Sequence, residues 1–210
     1  MIKLIIFDLD GTLVDAYRAV QKSLNLSLSK FGYHPVRAQV VRRSVGWGDK
    51  NLIKEFVPKR EAGAVLKFYR RHHKKSLLKY SRMIPGAKRV LGILKKQGYK
   101  LAIVSNRPEK FTWILLRHLG INSYFDAVAC GKNKEDLKPR PTLLLRVIKG
   151  LKASKKEALY VGDMAIDVEA GRNAGVRVVS VTGGSSYGSE LRRLRPFKVI
   201  GKISGLVKII

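Results

Sequence analysis

Leu4-Ile5-Ile6-Phe7 is an unbroken apolar run with no alternation. A strand with one wet face alternates, so a continuous run predicts a strand buried on both faces, as in the middle of a parallel sheet, here over residues 3–9. From there to residue 80 the pattern is helical, with helices expected at 16–31, 36–44, 49–57 and 59–79. Gly32 and Pro35 separate the first from the second, Gly46-Trp47-Gly48 the second from the third, and Pro58 the third from the fourth. After Pro85-Gly86 the rhythm changes. Strands are expected at 100–104, 127–129, 158–161 and 176–181, with helices at 87–97, 108–119, 142–151 and 165–174 between them. The tail adds a short strand near 198–200 and a final apolar turn. Strands alternating with helices predict βαβ units and a parallel sheet. The expected organisation is an α/β core of residues 1–15 and 81–210, with a helical insertion of residues 16–80 after the first strand.

At 210 residues the chain is long for one compact core, which agrees with a domain carrying a large insertion. No apolar stretch approaches the ~20 residues of a transmembrane helix, so no membrane partner is expected. The first strand starts within a few residues of Met1, leaving no room for a signal peptide. Cys130 is the only cysteine, which excludes an internal disulfide and fits a reducing cytosol. A cytoplasmic location is expected. Charge is the unusual property: 43 Lys and Arg stand against 15 Asp and Glu, a net charge of +28. Such a surface attracts polyanions. The cations are spread along the whole chain, however, and no aromatic residues interleave with them as a base-stacking platform requires. Any nucleic-acid association is therefore expected to be non-specific.

The candidate chemistry lies at strand ends. Asp8 and Asp10 follow the first strand at its carboxyl end, the edge at which parallel sheets bind ligands. Two carboxylates so close repel unless a cation lies between them or one holds a proton, and they predict a metal-assisted site. Ser105 with Asn106, Lys138, and Asp163 with Asp167 also stand just beyond expected strands. A Gly-Asp pair before a helix is also an ordinary cap, and lysine is abundant here. Ser105-Asn106 and Lys138 therefore count through their order and context.

Asp8-Leu9-Asp10-Gly11-Thr12, Val104-Ser105-Asn106, Lys138-Pro139, and Gly162-Asp163-Met164-Ala165-Ile166-Asp167 with Ala170-Gly171-Arg172-Asn173-Ala174-Gly175 resemble, in that order, the four motifs of the haloacid dehalogenase superfamily of phosphatases. The resemblance covers essentially the whole chain. The helical insertion looks like the small helical cap of the first type in that family, and the overall pattern is similar to its phosphoglycolate phosphatase-like subgroup. The resemblance implies a doubly wound, Rossmann-like parallel sheet in strand order 5-4-1-2-3. It implies Mg²⁺-dependent hydrolysis of a small phosphomonoester metabolite through a covalent aspartyl-phosphate.

In that pattern Asp8 is the nucleophile and Asp10 the acid and base. The ion is held by the Asp8 carboxylate, the Asp10 backbone carbonyl and the Asp163 carboxylate. Lys138 supplies a fixed positive charge to the phosphoryl oxygens. Ser105, the backbone N–H of Asn106 and the Thr12 hydroxyl supply donors. Asp167 orients Lys138 or a metal-bound water. An acid at position 10 favours phosphate esters over halides, whose departure needs no proton. A phosphomutase uses the same acid and base and stays open, as does a cationic nucleic-acid-binding protein on a phosphatase scaffold. The turn 44–50 is expected to carry specificity, with Trp47 or Lys50, and Arg42 or Arg43, meeting the non-phosphate end of the substrate. A carboxylate such as that of phosphoglycolate suits a cationic partner. A monomer or a homodimer is expected.

Overall fold

The computed structural model describes residues 1–133 and 135–210. Strands β1 (Leu4–Phe7), β4 (Lys100–Ser105), β5 (Ala127–Cys130), β6 (Ala158–Gly162), β7 (Arg177–Val181) and β8 (Lys198–Ile200) form one sheet in the order β5-β4-β1-β6-β7-β8. Every pairing in it is parallel. Counted over this sheet alone the order is 6-5-4-1-2-3. The order expected from the resemblance, 5-4-1-2-3, stops one strand short, because the tail strand β8 pairs with β7 at the edge. Two short strands outside the sheet were not expected: β2 (Val14–Asp15) and β3 (Arg82–Met83) pair antiparallel, where the chain leaves the core and where it returns.

The continuous apolar run of β1 has the expected cause. Ile5 and Phe7 pack into one hydrophobic cluster, with Leu91, Leu94, Leu115 and Leu116. Leu4 and Ile6 pack into another on the opposite face of the sheet, with Leu143, Leu144 and Tyr160. Successive side chains of a strand point to opposite faces, so a strand covered on both sides has no position left for a polar residue. Helices α5 (Ala87–Lys96), α6 (Glu109–His118), α7 (Thr142–Gly150) and α8 (Ala165–Ala174) connect and cover the sheet, and the unexpected short helix α9 (Gly188–Arg193) precedes β8.

Between β2 and β3 run only helices: α1 (Tyr17–Lys30), α2 (Ala38–Ser44), α3 (Asp49–Phe56) and α4 (Ala62–Tyr80). They share a third apolar cluster of Val20, Leu24, Leu28, Val41, Leu52, Ile53, Val65 and Tyr69, among others. On α4 the buried positions Val65, Tyr69, His73 and Leu77 recur every fourth residue, the spacing of one helical face. No helix among the described residues is long and apolar enough to cross a membrane.

Candidate active site

The sheet order reverses at β1. Crossovers before β4 and β5 run to one side of it and those after β5 to the other. Ligands bind beyond the carboxyl ends of the strands at such a switch point. Asp8 follows β1 there, Ser105 ends β4, Asp163 follows β6, and Lys138 reaches in from the segment after β5.

Asp8, Lys138, Asp163 and Asp167 are all buried. Lys138 Nζ donates to Asp8 Oδ1 and to Asp167 Oδ1, both at 2.7 Å, and to the Tyr160 hydroxyl at 3.0 Å. Tyr160 in turn donates to Asp167 Oδ1 at 2.8 Å. Asp167 Oδ2 accepts the backbone N–H groups of Asp163 and Met164. A carboxylate has about four lone-pair positions, and these four donors use all of them at Asp167. Its oxygens thus face Lys138, Tyr160 and the backbone N–H groups at the start of α8.

Ligand atoms of Asp8, Asp163 and Asp167 lie within 4.8 Å of one another. With Asp167 saturated, Asp8 and Asp163 are the pair with oxygens left for an ion. Asp163 is held by two hydrogen bonds. Thr12 Oγ1 donates to its Oδ1 at 2.8 Å, and the Ser185 N–H donates to its Oδ2 at 2.7 Å. Any Cβ at Gly11 or Gly184 would collide with this carboxylate, so both positions admit only glycine without displacing it. Thr12, expected to face the substrate, thus directs its hydroxyl to Asp163.

Burial, with the nearby Asp167 and Asp10 charges, pushes the Asp8 carboxyl up to about 7 against the pull of Lys138. Asp163 is also driven well up, by burial and then by Asp8 and Asp167. Lys138 moves up because Asp167 and Asp8 outweigh its burial. When all four are ionised, Asp8, Asp10, Asp163 and Asp167 pair with two cations among the described residues, Lys138 and Arg107. Four charges against two leave two uncompensated, the charge of one divalent ion. Buried carboxylate oxygens in excess of their cations are a donor set that suits a hard divalent cation.

Above this cluster a small cavity is lined by Asp8, Asp10, Ser105, Asn106, Arg107 and His73, with Val20, Val45, Leu52, Tyr69 and Phe111 among its apolar walls. Both the sheet and the inserted helices contribute. Ser105 Oγ accepts the N–H of Arg107 at 3.2 Å. The Asn106 side chain ties the two parts together: its Nδ2 donates to the carbonyls of Gly46 and Lys138, and its Oδ1 accepts the Lys138 N–H. Trp47 and Lys50 do not line this cavity. They border a neighbouring hollow with Lys54, Arg70 and Leu137, reached past Gly48 and Asp49. Arg42 and Arg43 point elsewhere too. Arg42 donates to the carbonyls of Gly183 and Gly184, and Arg43 to the Ser185 carbonyl and to both oxygens of Glu190.

Sequence reasoning overlooked two residues. Arg107, buried, grips Asp10 with both ends of its fork, Nε to Oδ2 at 2.8 Å and Nη2 to Oδ1 at 2.7 Å. Its Nη1 lies 3.0 Å from Nε2 of His73 on α4. An arginine can only donate, so Nε2 accepts, and the His73 Nδ1–H is left for Ser23 Oγ at 2.9 Å. Burial and then the Arg107 charge hold His73 well below its usual range, as a neutral ring. His73 was legible as the fourth-residue continuation of the buried positions of α4. Nothing but adjacency to Ser105-Asn106 distinguishes Arg107 among so many cations.

The family of haloacid dehalogenase-like hydrolases matches residues 5–181. Among curated relatives, a phosphoglycolate phosphatase of Nitrosococcus oceani is 32% identical over 210 residues, 96% of this chain and 93% of its own. That of Haemophilus influenzae is 31% identical over 219 residues, 99% of this chain and 98% of its own. A crystal structure described as a "predicted phosphoglycolate phosphatase" from Haemophilus somnus superposes with a TM-score of 0.92, at 27% identity, over 99% of this chain and 97% of that one. These similarities join the strand-end acidic cluster, the matching sheet and the full-length coverage: the chain belongs to the haloacid dehalogenase-like hydrolases, and the relatives it resembles there are phosphatases.

Proposed function

We propose that this protein is a Mg²⁺-dependent phosphatase that hydrolyses a small, carboxylated phosphomonoester of the phosphoglycolate type through a phosphorylated Asp8. The observation that carries the reading is the convergence on Asp8, which lines a small cavity, of a buried lysine at 2.7 Å and a second fixed carboxylate, Asp163. Mg²⁺ would be held by the carboxylates of Asp8 and Asp163 with the Asp10 backbone carbonyl, and would supply Lewis-acid charge at the phosphoryl oxygens.

Asp8 attacks phosphorus, the bond from phosphorus to the ester oxygen breaks, and Asp10 gives the departing alkoxide its proton. Water then attacks the phosphorus of the acyl phosphate. Asp10 takes the proton of that water, and the bond between Asp8 and phosphorus breaks to release phosphate. Arg107 engages one lone pair on each Asp10 oxygen, which leaves a second on each to carry the proton. Lys138, fixed by Asp167 and Tyr160, holds its charge beside the transferring group, and the Ser105 hydroxyl adds a donor.

Residues 16–80 act in this proposal as a lid domain over a core of residues 1–15 and 81–210, with β2 and β3 as the paired connections. A lid that completes the cavity keeps out macromolecules and bulk water. A cytoplasmic location belongs to the same reading, supported by one cysteine, buried at the end of β5. A phosphate-release screen over a metabolite panel, with Mg²⁺ or with chelator, tests the proposal. Wild type should turn over with Mg²⁺ only, and folded Asp8→Asn should release no phosphate. Turnover by Asp8→Asn would remove the nucleophile from the scheme.

A further inference from the structure

The cavity has apolar walls and one cation. Among its lining residues only Arg107 carries a permanent positive charge; the Asp49 carboxylate there is already held by both ends of the Arg70 fork, at 2.7 and 2.9 Å. A guanidinium has five N–H donors. Arg107 spends two on Asp10 and one on His73. Two remain with no protein partner among the described residues, on a side chain only 7% exposed. Unspent donors on a buried charge are costly, and their residue faces the space where a substrate would sit. Of the cations expected on the inserted helices to read the substrate, Arg42 and Arg43 are engaged with the 183–190 segment and Lys50 borders the neighbouring hollow.

We propose that Arg107 is the specificity-determining residue of the site, and that its two free N–H groups receive the carboxylate at the non-phosphate end of the substrate. This rests on the phosphatase reading and names the substrate class for the same cavity. A planar fork matches a carboxylate in two parallel hydrogen bonds. The neutral His73 ring and the bidentate grip on Asp10 lock the guanidinium from two sides. It is therefore presented in one orientation without loss of side-chain freedom on binding. The same cation then reads one end of the substrate and holds the acid that protonates the bond at the other. The assignment puts specificity on the core loop after β4, with α4 contributing through His73.

The test uses two pairs of compounds that differ in the carboxylate. Phosphoglycolate and ethyl phosphate serve as substrates. Phosphonoacetate and ethylphosphonate, whose C–P bonds are not hydrolysed, serve as ligands for calorimetric titration with Mg²⁺ present. Wild type should favour the carboxylated member of each pair. Arg107→Met should cut that preference roughly tenfold to a hundredfold, the range of a hydrogen bond to a charged group. Arg107→Lys keeps a cation for Asp10 but loses the fork, and should lose part of the preference while staying folded. Comparing each preference with wild type cancels the difference in leaving group. Equal losses for both members would show that Arg107 acts only through Asp10 and would overturn the proposal. Equal binding and turnover of both members by wild type would overturn it too, with the phosphatase reading intact. Carboxylate-selective binding without hydrolysis of any phosphate ester would uphold Arg107 and sink the reaction instead.

Discussion

Adding Mg²⁺ to the metal-free protein should expel protons, in a number that depends on pH. The Asp8 carboxyl, pushed up to about 7, is ~90% protonated at pH 6 and ~10% at pH 8 by simple titration. A divalent ion takes the ionised form, so binding drives that proton off. Asp163, also driven upward, adds to the release, and its share can only fall as pH rises. Release should therefore be larger at pH 6 than at pH 8. The same linkage acts on stability. The folded Asp8 holds its proton more tightly than the unfolded chain does. Its contribution is fully present below pH ~4 and is lost as pH rises through ~7. Mg²⁺ restores stability where the proton has gone, so its effect on Tm should be larger at pH 8 than at pH 5. Titration calorimetry in buffers of different ionisation enthalpy counts the protons, and differential scanning follows Tm. An equal release at pH 6 and pH 8, or none at either, would refute the reasoning that Asp8 and an ion compete with a proton for the same oxygens.

Arg107→Met strands the Asp10 carboxylate in a buried site and should cost about 3–5 kcal/mol, lowering Tm by roughly 10 °C. The Asp10→Asn, Arg107→Met double variant should recover part of that loss, and strictly additive costs in urea titration would show that the pair is not a unit. Gly184→Ala puts a methyl group against the Asp163 carboxylate. It should weaken Mg²⁺ about tenfold to a hundredfold, as loss of support for a ligand does, and unchanged Mg²⁺ dependence of turnover would speak against Asp163 as a ligand. Tyr160→Phe removes a donor to Asp167 and an acceptor from Lys138. It should lower stability by about 1–3 kcal/mol and lower kcat, because Lys138 loses one of its fixed partners.

What could be read from the sequence was what one stretch of chain decides alone. The apolar run of β1 has no polar position because both faces are covered, and its four residues divide evenly between two clusters. Carboxylates directly after such strands are conspicuous, so Asp8, Asp10 and Asp163 could be named. What could not be read depends on pairing across the chain. The β2–β3 ribbon is two residues long in each strand, too short for any period. Helix α9 has one buried residue, Leu191, and no apolar stripe. Arg107 meets Asp10 across 97 residues of sequence, and an ion pair of that kind leaves no local pattern. His73 lies in the run Arg70-Arg71-His72-His73-Lys74-Lys75, which reads as a wet cationic surface until the fourth-residue spacing from Tyr69 to Leu77 is traced through it. The turn at 44–50 is where the composition misled: its glycines let Gly46 and Gly48 approach Met164 and the Asn106 carbonyl, while Trp47 and Lys50 turn away from the cavity.

The central claim is that Asp8 becomes phosphorylated during turnover, and borohydride trapping tests it most directly. Borohydride reduces an acyl phosphate to the alcohol, which converts an aspartate to homoserine. Wild-type protein quenched during turnover with Mg²⁺ should yield homoserine at Asp8 by peptide mass spectrometry, and none without substrate. Steady release of phosphate with Asp8 unmodified, or with the label on another carboxylate, would contradict it.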